Sequence, residues 1–94
     1  MAGSEEIGED TIAVRKRRVR FRCWHRGTKE LDLLMGPFVD RFLPEMIGAQ
    51  LDQLEHLLTI PDLDLYNWIT KRAPVPADAN CEVLNRIIKF CNDR

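Results

Sequence analysis

The chain has 94 residues, the length of a single domain, which excludes a multi-domain enzyme. Hydrophobic residues make up 45% of the sequence and charged residues 31%, so it is not a wholly disordered chain, and no apolar run is long enough to span a bilayer. The net charge of −1 hides an asymmetry, because residues 1–14 hold four acids and no base whereas residues 15–29 hold eight bases and no acid. A basic block in an acidic protein indicates an anionic partner or a self-neutralising surface.

The cellular compartment is indicated by the N-terminal sequence and the cysteines. The acidic first residues have neither the pattern of a signal peptide nor that of a mitochondrial presequence. Cys23, Cys81 and Cys91 are odd in number and form no C-x-x-C pair, which favours reduced thiols over a disulfide framework. We therefore expect a cytoplasmic bacterial protein without membrane insertion.

The sequence predicts a flexible acidic tail over residues 1–10 and one helical domain over residues 11–92. Asp10 or Thr11 can cap a first helix that runs to about Trp24 and stops at Gly27. Residues 18–23 alternate between basic and apolar side chains, which is a strand pattern. Since no other segment alternates and a lone strand would lack a partner, we predict a helix there.

Four further helices complete an all-α, five-helix bundle with one core. Thr28 is expected to cap the second helix, which should kink or break at Gly36-Pro37 because proline removes a helical hydrogen bond. A third helix is predicted to start at residues 43–45, a fourth at Pro61 and a fifth at about Ala77. The predicted core residues of these helices are Leu31, Leu34, Met35, Phe38, Phe42, Ile47, Leu51, Leu54, Leu58, Leu65, Trp68, Ile69, Leu84, Ile87, Ile88 and Cys91.

The basic stretch forms a stripe on the first helix, because Arg15, Arg18, Arg22 and Arg26 recur at helical spacing. Guanidinium groups bind phosphates and carboxylates, so the stripe could face an acidic partner. The alternative is a solvated face that the acidic tail or neighbouring helices neutralise. Nucleic-acid binding through residues 15–26 is a special case of the first alternative, but the isoelectric point of about 6.1 is low for such a module.

Catalytic and metal-binding constellations are not found in the sequence. Cys23 and His25 lie one residue apart and cannot close a tetrahedral site, and His56 has no ligand pair nearby. There is no glycine-rich phosphate loop and no nucleophile elbow. We expect no catalytic residue and no bound metal.

The segment between the first two helices is the most unusual part of the sequence. Gly27 suits a left-handed conformation at a helix end, and acids at Glu30 and Asp32 suit the first turn of the next helix. Arg26 could pair with Glu30. These structural roles are sufficient to explain the residue types, but a small residue between Arg26 and Glu30 also offers a charged corner that the backbone of a partner can approach.

This segment resembles a known motif. The matching residues are Arg26-Gly27-x-x-Glu30-x-Asp32 and the following Leu33-Leu34-Met35-Gly36-Pro37-Phe38, together with Pro61-Asp62-Leu63-Asp64-Leu65-Tyr66-Asn67-Trp68 and Pro76-Ala77-Asp78. They are similar to the R-G-x-x-E-x-D motif and later segments of the succinate dehydrogenase FAD assembly factors, the SdhE or YgfY type. The resemblance covers about residues 15–92 and implies a small five-helix bundle, in agreement with the periodicity.

The resemblance also implies a function. It implies an assembly chaperone, not an enzyme, that binds the flavoprotein subunit of succinate dehydrogenase, and possibly that of fumarate reductase. The resemblance further implies that such a factor promotes covalent attachment of FAD to a histidine of that partner and holds no stable cofactor itself. The expected partner-binding residues are Arg22, Trp24, His25, Arg26, Gly27, Glu30 and Asp32. The rival hypothesis from the residues alone remains a helical nucleic-acid-binding module.

Overall fold

The computed structural model describes residues 11–93 and shows five α-helices. They are α1 (Ile12–Trp24), α2 (Lys29–Phe42), α3 (Gly48–Leu57), α4 (Asp62–Ile69) and α5 (Glu82–Asn92), with short 3₁₀ turns at Leu43–Glu45 and Ala77–Ala79. No strand occurs within residues 11–93. The prediction of an all-α, five-helix domain is confirmed. The predicted acidic tail of residues 1–10 lies outside the described residues.

Helix α1 forms where the sequence also alternated like a strand. The hydroxyl of Thr11 accepts a hydrogen bond from the amide of Val14 at 3.2 Å, which caps the helix as expected. Val19 and Cys23, four residues apart, are buried on its inner face. The helix is favoured because this spacing brings both side chains into the core against α2 and α3.

Helix α2 runs continuously through Pro37, so of the predicted kink or break at Gly36-Pro37 the break does not occur, and the kink stays a prediction. Met35 before the proline and Phe38 after it are both fully buried. Burial on either side holds the helix together at the cost of the one hydrogen bond that proline cannot make. Thr28 occupies the N-cap position of α2, but its side chain does not cap the helix.

The starts of α3 and α5 differ from those predicted. The segment around Pro44 makes only a 3₁₀ turn, and the backbone is extended at Met46 and Ile47 before α3 begins. Ile47 therefore precedes the helix and is 67% exposed instead of buried. Similarly, Ala77–Ala79 is a 3₁₀ turn, and α5 starts only at Glu82, where the Val83 amide donates to Oε1 of Gln53 on α3 at 3.0 Å.

The core is formed by one apolar cluster that all five helices share. Among the predicted core residues, Leu31, Met35, Phe38, Leu51, Leu54, Leu58, Leu65, Ile69, Leu84 and Ile87 are buried. The others, except Ile47, are partly buried against the same cluster. Within residues 11–93, no helix is long and apolar enough to cross a membrane.

Candidate functional site

The chain reverses direction between α1 and α2 at Gly27, which forms an exposed corner. Gly27 has a φ of +101°, a conformation that strains any residue with a Cβ. A Cβ at this position would meet no atom within 4 Å. The corner therefore requires glycine for its backbone, while the space above it is open to a partner.

Arg26 lies beneath this corner and points into the protein, with a side chain only 8% exposed. Its guanidinium donates to Oδ1 of Asp62 at 2.7 Å and to the carbonyl oxygens of Leu58 at 3.1 Å and Ile60 at 2.8 Å. Its partner is thus Asp62 at the start of α4, and the predicted pairing with Glu30 is wrong. Asp62 is preferred because a single guanidinium in that position can also satisfy two backbone carbonyls that follow α3.

Two neighbouring side chains complete this clamp, which consists of Arg26, Asp62, Thr28 and Asp32. The hydroxyl of Thr28 donates to the second oxygen of Asp62 at 2.9 Å, which is why it does not cap α2. Oδ1 of Asp32 accepts from the backbone amide of Arg26 at 3.1 Å. The clamp fixes the corner to the α3–α4 connection, so Arg26 and Asp32 support the site from within.

The basic stripe of α1 faces α3. Arg15 contacts Asp52 at 2.6 Å and Glu55 at 2.7 Å, and these two carboxylates hold the Arg15 pKa above its ordinary value. Arg22 approaches the Leu58 carbonyl oxygen at 3.4 Å. Arg15 and Arg26 are thus paired with carboxylates of the same chain, which is the neutralised alternative, whereas Arg22 contacts only a carbonyl oxygen and keeps an exposed charge. Arg15 and Arg26 are not presented to phosphates.

Trp24 closes α1 by packing its indole flat on the backbone of α2. A Cβ at Gly36 would lie 2.5 Å from ring atoms of Trp24, a distance that only a glycine avoids. The indole N–H donates to Oδ1 of Asp40 at 3.3 Å, and the same oxygen accepts from Nε of Arg20 at 2.8 Å. Trp24 thus sets the distance between α1 and α2 next to the corner.

The exposed residues around the clamp form a surface that we call the corner surface: Phe21, His25, Gly27, Glu30 and Leu63. Phe21 is 64% exposed and stacks on His25 with ring centroids 4.3 Å apart, and Leu63 is 69% exposed. A depression of about 370 Å³ is lined by Thr28, Glu30, Asp62, Leu63 and Tyr66. A second depression, of about 220 Å³, is lined by Phe21, Arg22, His25, Arg26, Leu58 and Asp62. Both reach Asp62, so they flank the clamp.

The corner holds neither an activated nucleophile nor a metal-binding group of side chains. Cys23 is fully buried, and desolvation raises the pKa of its thiol to about 12, whereas His25 is exposed. Within residues 11–93, no three His, Cys, Asp or Glu side chains group closely enough to hold a metal ion. The three cysteines are free thiols. What the corner offers is a shaped surface with exposed apolar side chains and a carboxylate.

Sequence reasoning missed three residues of this site. Asp62 is 36 positions from Arg26, so no local pattern connects the two. Leu63 lies in the first turn of α4 but faces outward, and Phe21 lies among arginines on the outer face of α1. A large apolar residue on an otherwise charged helix face was the one available signal for Phe21.

Comparisons with known proteins identify relatives of this chain. The family model described as "Flavinator of succinate dehydrogenase" matches residues 17–91. The protein named "FAD assembly factor SdhE" from Acetobacter pasteurianus is 37% identical over 83 residues, covering 88% of this chain and 76% of the relative. "Succinate dehydrogenase assembly factor 2, mitochondrial" from Dictyostelium discoideum is 33% identical over 90 residues, covering 96% of this chain and 62% of the relative. No solved structure matches the chain significantly.

The match includes the whole corner, from Phe21 on α1 to Leu63 on α4. It includes both members of the Arg26–Asp62 pair and the positive-φ Gly27. The chain spans 62% of the length of the Dictyostelium relative and 76% of the length of the bacterial one. On the extent of the family match, this chain belongs to the family of succinate dehydrogenase flavinators, the FAD assembly factors.

Proposed function

We propose that this protein binds the flavoprotein subunit of succinate dehydrogenase through the corner surface and promotes covalent attachment of FAD to a histidine of that subunit. The observation that carries the proposal is that some residues of the family motif point inward while others are exposed. Arg26 and Asp32 are turned inward to hold the corner, whereas Gly27 and Glu30 are exposed on it. An acid in the first turn of α2 also suits the helix dipole, but the exposure of Glu30 at the open corner leaves its carboxylate available to a partner.

The corner surface has the composition of a protein-binding site. Phe21 and Leu63 expose apolar side chains on either side of the clamp, and aromatic residues are enriched at the centre of protein interfaces. Glu30 can accept hydrogen bonds from a partner's backbone amides or basic side chains. The rigid clamp keeps these groups in place before binding, which lowers the entropic cost of association.

The proposed action is positioning. Since Cys23 is buried and no nucleophile is assembled at the corner, the partner supplies the histidine that is modified. Holding the reacting groups in line can lower the activation free energy of the reaction substantially, without any catalytic side chain from this protein. We therefore propose an assembly factor that is not itself an enzyme, acting in the bacterial cytoplasm, with the fumarate reductase flavoprotein as a second client.

The test is reconstitution with the purified apo-flavoprotein subunit, FAD and the full-length chain. Covalent flavin is measured as fluorescence of the denatured subunit on an acid-treated gel, and binding is measured by calorimetry. Glu30→Ala is paired with Glu82→Ala, since both are exposed acids in the first turn of a helix. Leu63→Ala is paired with Ile47→Ala, which are 69% and 67% exposed, and Ile47 lies at the opposite end of α3 from the clamp.

Glu30→Ala and Leu63→Ala should lower covalent flavin at least tenfold, while Glu82→Ala and Ile47→Ala should leave it unchanged. Gly27→Arg should also lose the partner, because it adds bulk and charge where the backbone of the partner approaches. If the wild-type chain does not raise covalent flavin, the proposed function is wrong. If it does but the corner variants behave like their controls, the docking surface lies elsewhere.

A further inference from the structure

A groove runs along the side of α1 that faces away from α3, and we call it the basic groove. Its first part, of about 370 Å³, lies between the start of α1 and the end of α2 and is lined by Lys16, Arg17, Arg20, Asp40, Leu43 and Pro44, with Ala13 and Val39 beneath. Its second part, of about 310 Å³, is lined by Arg17, Arg20, Phe21, Trp24 and His25. Arg17 and Arg20 line both parts, so the groove is continuous from Ala13 to His25, about 18 Å of helix.

The basic groove carries an excess of positive charge. Arg17 is exposed, and the Arg20 side chain is 63% exposed even though its Nε donates to Asp40 at 2.8 Å. Lys16 donates to the carbonyl oxygen of Pro44 at 2.8 Å, a contact that leaves its charge unneutralised. Asp40 is the acid that lines the groove, so three cations face one carboxylate. The other side of α1 differs, because Asp52 and Glu55 already neutralise Arg15 there.

The sequence supplies an acidic segment next to the groove. Glu5, Glu6, Glu9 and Asp10 lie within the six residues that precede Thr11, and residues 1–14 contain no base. Thr11 caps α1 two residues before Ala13, where the groove begins. Six residues of extended chain reach about 20 Å, which equals the length of the groove. Because the segment is tethered at the mouth of the groove, its effective concentration there is in the millimolar range or above.

We propose that the acidic segment Glu5–Asp10 of this chain binds the basic groove, with its carboxylates against Arg17, Arg20 and Lys16. Asp52 and Glu55 repel the segment from the opposite side of α1, so the basic groove is the favoured side. The acidic segment is thus an internal competitor for acidic ligands of the basic groove.

The experiment measures binding of a fluorescein-labelled hexaglutamate peptide to the full chain by anisotropy at low ionic strength. Glu5→Gln/Glu6→Gln/Glu9→Gln removes three charges from the acidic segment. The matched control, Asp64→Asn/Asp78→Asn/Glu82→Gln, removes three charges from exposed acids elsewhere. Both variants have a net charge of +2, so a difference between them reports the position of the acids and not the total charge. Thermal melts establish that each variant is folded.

The segment variant should bind the probe about fivefold more tightly than the matched control, since only it has lost the internal competitor. Adding Arg17→Gln should abolish this difference, whereas Arg18→Gln, the neighbouring arginine outside the groove, should preserve it. Raising the salt to 0.5 M should remove the difference because exposed charges are screened. Equal affinities of the two triple variants would overturn the proposal, as would a difference that persists in the Arg17→Gln background.

Discussion

The close packing of Trp24 on Gly36 predicts that adding a single methyl group at position 36 destabilises the protein. In Gly36→Ala, the new Cβ would lie 2.5 Å from the Cδ2 and Cζ2 atoms of the Trp24 ring, where ordinary contacts are 3.4–4 Å. The indole therefore has to move by about 1 Å or more, and the helices cannot separate freely because Cys23 and Met35 are buried nearby. The variant tests whether α1 and α2 are as closely packed as the structure shows.

The expected magnitude follows from three contributions. Overpacking of this kind costs about 1–3 kcal/mol, and loss of the hydrogen bond from Trp24 to Asp40 costs a further ~1 kcal/mol. Alanine in the interior of a helix recovers about 1 kcal/mol relative to glycine. The net loss is about 2 kcal/mol of unfolding free energy, which lowers the Tm of a domain of this size by about 10 °C.

The assay is urea unfolding followed by circular dichroism at 222 nm, which reports all five helices. Gly48→Ala is the matched control, because Gly48 is the first residue of α3 and a Cβ there meets no atom within 4 Å. It should leave the protein equally stable or stabilise it by up to about 1 kcal/mol. In a Trp24→Ala background, Gly36→Ala should change from destabilising to neutral or stabilising, since the clash has been removed.

The reasoning is refuted if Gly36→Ala is as stable as the wild type, or if its cost is the same with and without the indole of Trp24. The first result would mean that α1 and α2 have room to separate. The second would mean that the cost arises within α2, for example next to Pro37.

Three further predictions concern the interior of the protein. Arg26→Lys should lower the unfolding free energy by about 2–3 kcal/mol in a urea melt, because one ammonium cannot replace the contacts to Asp62 and two carbonyl oxygens; unchanged stability would contradict the clamp. Trp68→Ala should lower the unfolding free energy by about 3 kcal/mol, since Trp68 packs against the core. Glu30 is exposed, so Glu30→Ala should lower it by less than about 1 kcal/mol. The reverse ranking in the same melts would show that core and surface are misassigned. The pKa of Cys23 is about 12 in the folded protein and 9.0 in an unperturbed thiol, so the thiol ionises first in the unfolded state. Stability should therefore fall by about 1.4 kcal/mol per pH unit between pH 9 and about pH 12. A Cys23→Ala variant should lack this part of the alkaline slope, and equal slopes would refute it.

Much of the fold can be predicted from the sequence because it rests on local patterns. The apolar spacing of Leu31, Met35 and Phe38 defines the inner face of α2, and Thr11 caps α1 where expected. Gly27 adopts the left-handed conformation that its place between two helices indicated. Helical periodicity and cap chemistry depend on residues within about one turn of each other, so they can be recognised without tertiary information.

The sequence-based errors lie where a local signal was overruled by packing. Pro37 marks a break only if nothing holds the two halves of the helix, and the buried residues on both sides do so. Ala77 was a reasonable helix start, but the amide of Val83 is satisfied by Gln53 from another helix, which places the start of α5 further along the chain.

The sequence by itself singled out Arg26, Gly27, Glu30 and Asp32, because their spacing resembles that of an assembly-factor family to which the chain belongs. Only the tertiary structure decided their roles. The Asp62 carboxylate, which α4 brings to the corner, binds the guanidinium of Arg26, turns it away from solvent, and leaves Glu30 exposed. A pair 36 residues apart depends on how α3 and α4 fold back onto the corner, and that arrangement is fixed by the shared apolar core and not by any local pattern.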